Sequence, residues 1–261
     1  MGMKIAISGK GGAGKTTIAA STGIVYSKKN KRVILIDADP DANLKTTLNL
    51  KGEIKPLIEL KEIIAERTGT KPGVRALFFK LNPEVNDIPE KFFLKKGNIM
   101  LGVMGSVKGG GLGCTCPENA FLKALLRHLI LGREDVVILD MEAGIEHLGR
   151  GTTEGIDFLI VVVEPTDKSI ETAYRIKKLA GEIGIKNLAV IGNKINTENE
   201  KEFLRKNLKD FDIVGFIPFY NSLREAEIES CPFWEKVPEI LSDIKEIIER
   251  MEKKYFIHGT V

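Results

Sequence analysis

A glycine-rich stretch between an apolar run and a helical pattern constrains this chain more than anything else in it: Gly9-Lys10-Gly11-Gly12-Ala13-Gly14-Lys15-Thr16-Thr17. Its first eight residues fit the spacing G-x-x-x-x-G-K-[ST]. Glycines let successive backbone N–H groups turn inward around an anion, and a helix opening at the end of the loop adds its positive dipole end. That geometry exists only where a strand runs through a tight turn into a helix. The apolar run Lys4 to Ser8 precedes the loop, and a helical pattern from about Lys15 to Lys29 follows it. Lys15 is placed to bridge two phosphates and the Thr16 hydroxyl to ligate Mg²⁺.

Further short apolar runs repeat the form of the first: Val33 to Asp37, Ile99 to Met104, Val136 to Asp140, Phe158 to Val163, Leu188 to Ile191 and Ile213 to Ile217. They are continuous rather than alternating, as strands covered on both faces should be. Helical patterns separate most of them, notably Glu118 to Leu131, Lys168 to Ile183 and Glu198 to Leu208. Such alternation predicts one α/β domain spanning 1–261, with a mostly parallel central sheet and helices on both faces. The Gly-, Pro- and Lys-rich stretch 68–97 reads as a surface insertion. A last helix, about 238–255, puts Ile240, Leu241, Ile244, Ile247, Ile248 and Met251 on one face. Its polar face mixes acids with lysines, unlike a basic membrane binder, so core packing is the expectation.

Composition narrows the classes of function. Lys and Arg number 39 against 36 Asp and Glu, a net charge of +3, and the basic residues are interleaved with acids. No clustered footprint for nucleic acid results. No apolar run approaches a bilayer span and no secretory pattern opens the sequence, so a cytoplasmic location without membrane attachment is expected. Three cysteines, Cys114, Cys116 and Cys231, are too few for a disulfide framework.

Gly9, Gly11 and Gly14 also satisfy G-x-G-x-x-G, with Asp37 closing the next strand, so an NAD-dependent oxidoreductase competes for the same glycines. That reading gives no reason for Lys15-Thr16 and leaves later carboxylates unexplained. Val136 to Asp140 ends an apolar strand in a carboxylate, the form of an aspartate that orders the Mg²⁺ shell. Asp140 to Gly144 has the D-x-x-x-G spacing of a γ-phosphate sensor, and Asp39 lies among carboxylates beside the loop, where one could orient a water. Asn193-Lys194-Ile195-Asn196 resembles a base-reading N-K-x-D, but its last position is an amide. Guanine would need a carboxylate there, so adenine is preferred, with Asn193 and the turn at Pro218 as contacts. The chain therefore reads as a P-loop ATPase using ATP and Mg²⁺, with Lys15 and Asp140 as catalytic residues.

Lys10, inside the loop, makes a resemblance specific. The loop resembles the deviant Walker-A motif of the MinD, ParA and nitrogenase-iron-protein family, where the extra lysine reaches across a homodimer to the partner's phosphates. That implies an ATP-dependent homodimer, with Lys10 acting in trans and Asp39, before Pro40, positioning the hydrolytic water. Gly113-Cys114-Thr115-Cys116-Pro117 and the stretch from Asp140 to Gly149 are similar to the CooC-type nickel-insertion ATPases. In that sub-group the C-x-C pair binds a divalent metal and turnover is tied to nickel insertion. The implied client is carbon monoxide dehydrogenase or acetyl-CoA synthase. An iron–sulfur carrier or a partition and positioning ATPase of the same family is the alternative. By its chemistry alone, the Cys114/Cys116 pair supplies two thiolates, half of a four-ligand site, so two subunits would complete Cys₄ for Ni²⁺ or Zn²⁺. Two buried structural cysteines are the plainer alternative. His147, close to the sensor spacing, is a candidate link between nucleotide and metal.

Overall fold

Apolar runs buried on both sides form the strands of one sheet. In the computed structural model, which describes residues 2–70, 78–105, 117–131, 135–145 and 155–256, these are β1 (Met3–Gly9), β2 (Val33–Asp37), β3 (Leu94–Lys96), β4 (Ile99–Val103), β5 (Val136–Asp140), β6 (Phe158–Val163), β7 (Leu188–Ile195) and β8 (Asp212–Pro218). Their order across the sheet is β3-β4-β2-β5-β1-β6-β7-β8. All neighbours are parallel except the β3–β4 edge pair.

Alternate residues of each strand feed opposite layers. In β5, Val137 and Leu139 join one core while Val136 and Ile138 join the other. The helices covering these layers, in chain order, are α1 (Lys15–Lys28), α2 (Leu44–Thr47), α3 (Lys61–Thr68), α4 (Ile88–Phe92), α5 (Pro117–Leu131), α6 (Asp167–Ile183), α7 (Glu198–Asn207), α8 (Ser222–Ile228), α9 (Phe233–Lys236) and α10 (Glu239–Phe256). One layer is built from α3, α5, α6 and α7, the other from α1 and α10. Helix starts follow local chemistry: Thr166 caps α6 through Ser169, and Thr197 with Glu200 forms a capping box on α7.

Two stretches add to their sequence reading. Within 68–97, the described residues Val85, Ile88 and Phe93 are buried and β3 closes the sheet edge. The Phe93 ring fills the space where a Cβ at Gly102 would lie, 2.5 Å from its Cζ. A three-residue strand with two exposed lysines has no periodicity to detect. β7 runs on past Ile191 to Ile195, through residues that look polar in sequence.

Helix α10 lies against α1 and β8 with Ile240, Leu241, Ile244, Ile247, Ile248 and Met251 buried. No described helix is long and apolar enough to cross a membrane. Parallel strands bring Gly9, Asp37, Asp140, Glu164 and Asn193 to one end of the sheet. This end, flanking β1 where strand order reverses, is where open α/β sheets place their ligands.

Candidate nucleotide-binding site

The phosphate loop is shaped by close approaches that exclude larger residues. A Cβ at Gly9 would lie 2.4 Å from the Val162 carbonyl oxygen of β6, and Gly9 has φ +149°. Gly14, with φ +94°, caps α1, and a Cβ there would lie 2.3 Å from Asn193 Nδ2. Gly12 also lies in the left-handed region, at φ +78°, while Gly11 faces open space. The Ala13 N–H donates to the Lys10 carbonyl at 3.1 Å, closing the turn. Helix α1 then starts at Lys15, which is buried, with Thr16 and Thr17 half-buried behind it.

The outer side of the loop is braced by β6 and β7. Asn193 Nδ2 donates to the Ala13 carbonyl at 2.7 Å, and Lys194 Nζ donates to the Gly12 carbonyl at 2.6 Å. Lys194 also pairs with Glu164 at 2.7 Å, and Lys10 approaches the other Glu164 oxygen at 3.7 Å. Holding a peptide carbonyl outward turns the following N–H inward, because the peptide is planar and trans. Asn193 and Lys194 thereby preorganise the loop, a role their sequence context did not reveal. Pro218, exposed at the end of β8, lies on the same side of the sheet, where Phe219 N–H donates to the Ile195 carbonyl at 3.0 Å.

The acids facing the loop divide by their bonding. Asp37 is fully buried and accepts from the Leu44 and Asp39 N–H groups at 2.9 and 3.3 Å, so it staples the segment after β2. Burial lifts its pKa to about 6, against those two hydrogen bonds. Asp39 is less buried and accepts from Asp41 N–H at 3.1 Å. Asp140, paired in register with Asp37, is fully buried, and neither carboxylate oxygen has a well-formed hydrogen bond to the described residues. Burial raises its pKa to about 7; the nearby Thr16 hydroxyl and Lys15 oppose that rise, while Asp37 and Asp39 add to it. Ser8 Oγ donates to the Glu142 and Gly144 carbonyls at 2.9 Å each, fastening the D-x-x-x-G segment to β1.

A buried carboxylate beside the Thr16 hydroxyl is a pair of oxygen donors suited to a hard divalent cation. The residues present fit Mg²⁺. Cys114, Cys116 and His147 lie outside the described residues. Among the described residues, no group of three or more His, Cys, Asp and Glu side chains could hold a metal. The Glu164–Lys194 pair escaped the sequence reading; the available signal was a polar residue at the end of each successive parallel strand.

Comparisons with known proteins agree with this geometry. Residues 4–233 match the CobQ/CobB/MinD/ParA nucleotide binding domain. The chain is 48% identical over 233 residues to an ATP-binding protein of Methanocaldococcus jannaschii, covering 88% of this chain and 90% of that one. It is 42% identical over 229 residues to the carbon monoxide dehydrogenase accessory protein CooC of Rhodospirillum rubrum, covering 86% of this chain and 87% of CooC. Among solved structures, the MinD cell division protein of Aquifex aeolicus superposes with a TM-score of 0.67 at 26% identity, covering 97% of this chain and 98% of MinD. The chain belongs to the CobQ/CobB/MinD/ParA nucleotide-binding family and is a P-loop ATPase.

Proposed function

We propose that this protein is an ATP-driven metallochaperone that supports nickel insertion into carbon monoxide dehydrogenase or acetyl-CoA synthase. The observation that carries the reading is the 42% identity to CooC across 86% of the chain, joined to an intact P-loop site. Gly9, Lys10, Gly11, Gly12, Ala13, Gly14, Lys15, Thr16 and Thr17 hold the phosphates, and Asn193 and Pro218 border the adenine. Lys15 neutralises charge on the β- and γ-phosphates; Thr16 and Asp140 hold Mg²⁺. When bound, Mg²⁺ supplies the positive charge that offsets the growing charge on the phosphate oxygens. Asp39, at the mouth of the site, orients the attacking water. Lys10 serves the nucleotide of a second subunit, so ATP favours a homodimer. Cys114 and Cys116 of each subunit then complete one four-thiolate site for Ni²⁺ or Zn²⁺ as cargo.

The test is reconstitution of nickel-free carbon monoxide dehydrogenase, or of nickel-free acetyl-CoA synthase, with limiting Ni²⁺. With the chain and Mg·ATP, client activity should rise well above the chain-free control. Lys15→Ala and Cys114→Ser should each remove the gain, the first by stopping turnover and the second with turnover intact. Full activation by Lys15→Ala, or none by the natural chain with either client, would refute the assignment.

A further inference from the structure

Glu164 follows β6, outside every motif used above, yet its carboxylate is shared by two lysines, Lys10 of the phosphate loop and Lys194 of β7. One oxygen pairs with Lys194 at 2.7 Å, and the other faces Lys10 at 3.7 Å. The Glu164 side chain is only 15% exposed, whereas that of Lys10 is 36% exposed. Its mount is rigid: the Glu164 N–H donates to Ser169 Oγ at 3.0 Å, at the start of α6.

The two ion pairs are unequal. Lys194 is anchored at both Glu164 and the Gly12 carbonyl, so it belongs to the loop's framework. Lys10 is held by one longer contact and lies on the outer lip of the loop beside exposed Gly11 and Gly12. A single carboxylate at that distance is a weak competitor against a triphosphate, whose charge is several times larger. Lys10 is thus the member that can leave, while Glu164 and Lys194 stay.

We propose that Glu164 is a latch on Lys10, a positioning residue that holds the Lys10 ammonium against its own subunit until a polyphosphate displaces it. The consequence for assembly rests on the proposed trans role of Lys10: the latch sets how readily that lysine reaches a partner's nucleotide. Without it, Lys10 would stand free on the nucleotide-free monomer, and less nucleotide would suffice to pair subunits.

Glu164→Gln tests this selectively, because the amide oxygen still accepts from Lys194 while the charge facing Lys10 disappears. In the nucleotide-free protein, acetylation of Lys10 by acetic anhydride, read by peptide mass spectrometry against exposed Lys31, should quicken roughly two- to fivefold. Light scattering with a sub-saturating non-hydrolysable ATP analogue should show more dimer in Glu164→Gln, and that gain should vanish in the Glu164→Gln, Lys10→Ala double variant. Unchanged Lys10 acetylation would overturn the latch, whatever the oligomeric state. Faster acetylation with no dimer in any variant would keep the latch and sink the trans role instead. If circular dichroism shows Glu164→Gln misfolded, Glu164→Asp, which withdraws the charge by one methylene, must shift Lys10 labelling in the same direction.

Discussion

Asp140 bears the site's largest unfavourable electrostatic load, a carboxylate with no exposure, no well-formed hydrogen bond and two acids nearby. Its pKa is raised from 3.8 to about 7, so the folded chain keeps a proton that the unfolded chain gives up near pH 4. The stability this proton confers is complete below pH 4 and is lost as pH rises through about 7. Thermal midpoints of the nucleotide-free protein should therefore fall between pH 5 and pH 8. Asp140→Asn should flatten much of that slope and stabilise the protein at pH 8 by about 2–4 kcal/mol. Asp37, raised to about 6 by burial, keeps a smaller slope of the same sign. Mg·ATP binding runs the other way, because a cation needs the ionised form. Calorimetry should show its affinity weakening below pH 7 by up to about tenfold per unit. A flat stability profile in the natural chain would contradict the desolvated, buried state of Asp140. Its place at a strand end was legible in the sequence. The use of Asp37 as a staple for Leu44 was not, because nothing local marks a carboxylate that bonds backbone seven residues away.

At the scale of elements, the strands most legible in sequence were those whose neighbours bury them completely. β2, β5 and β6 follow their apolar runs residue for residue. The edge strand β3 and the polar end of β7 escaped, since pairing partners rather than composition decide them. So did the brace from Asn193 and Lys194, which reaches 180 and 182 residues back to the loop. Helix α10 shows how tightly the layers are set. A Cβ at Gly215 in β8 would lie 2.4 Å from Ile247 Cγ1 and 2.7 Å from its Cδ1. Gly215→Ala should cost about 1–3 kcal/mol in urea unfolding by overpacking. Ile247→Ala should cost about 2–4 kcal/mol through its cavity, and the double variant should lose less than the sum, because the new methyl enters the vacated space. Strict additivity would mean that the two residues do not meet.

For the whole molecule, the proposed function joins two ligands in one equilibrium. The loop, Asp39, Asp140 and the Glu164-held Lys10 gather at one end of the sheet, and the proposed dimer draws Lys10 toward a partner. On the proposed shared site, Cys114 and Cys116 of each chain would supply half the thiolates, so metal would favour that dimer too and its binding would release thiol protons. ATP and metal would then push in the same direction, and hydrolysis, by weakening the proposed dimer, would loosen the metal. The most direct test measures metal stoichiometry and molecular mass together, with Ni²⁺ or Zn²⁺ and a non-hydrolysable ATP analogue. The expected result is one metal per two chains in a dimer, lost in both Cys114→Ser and Cys116→Ser while ATP binding persists. One metal per monomer, or metal binding untouched by those substitutions, would contradict it.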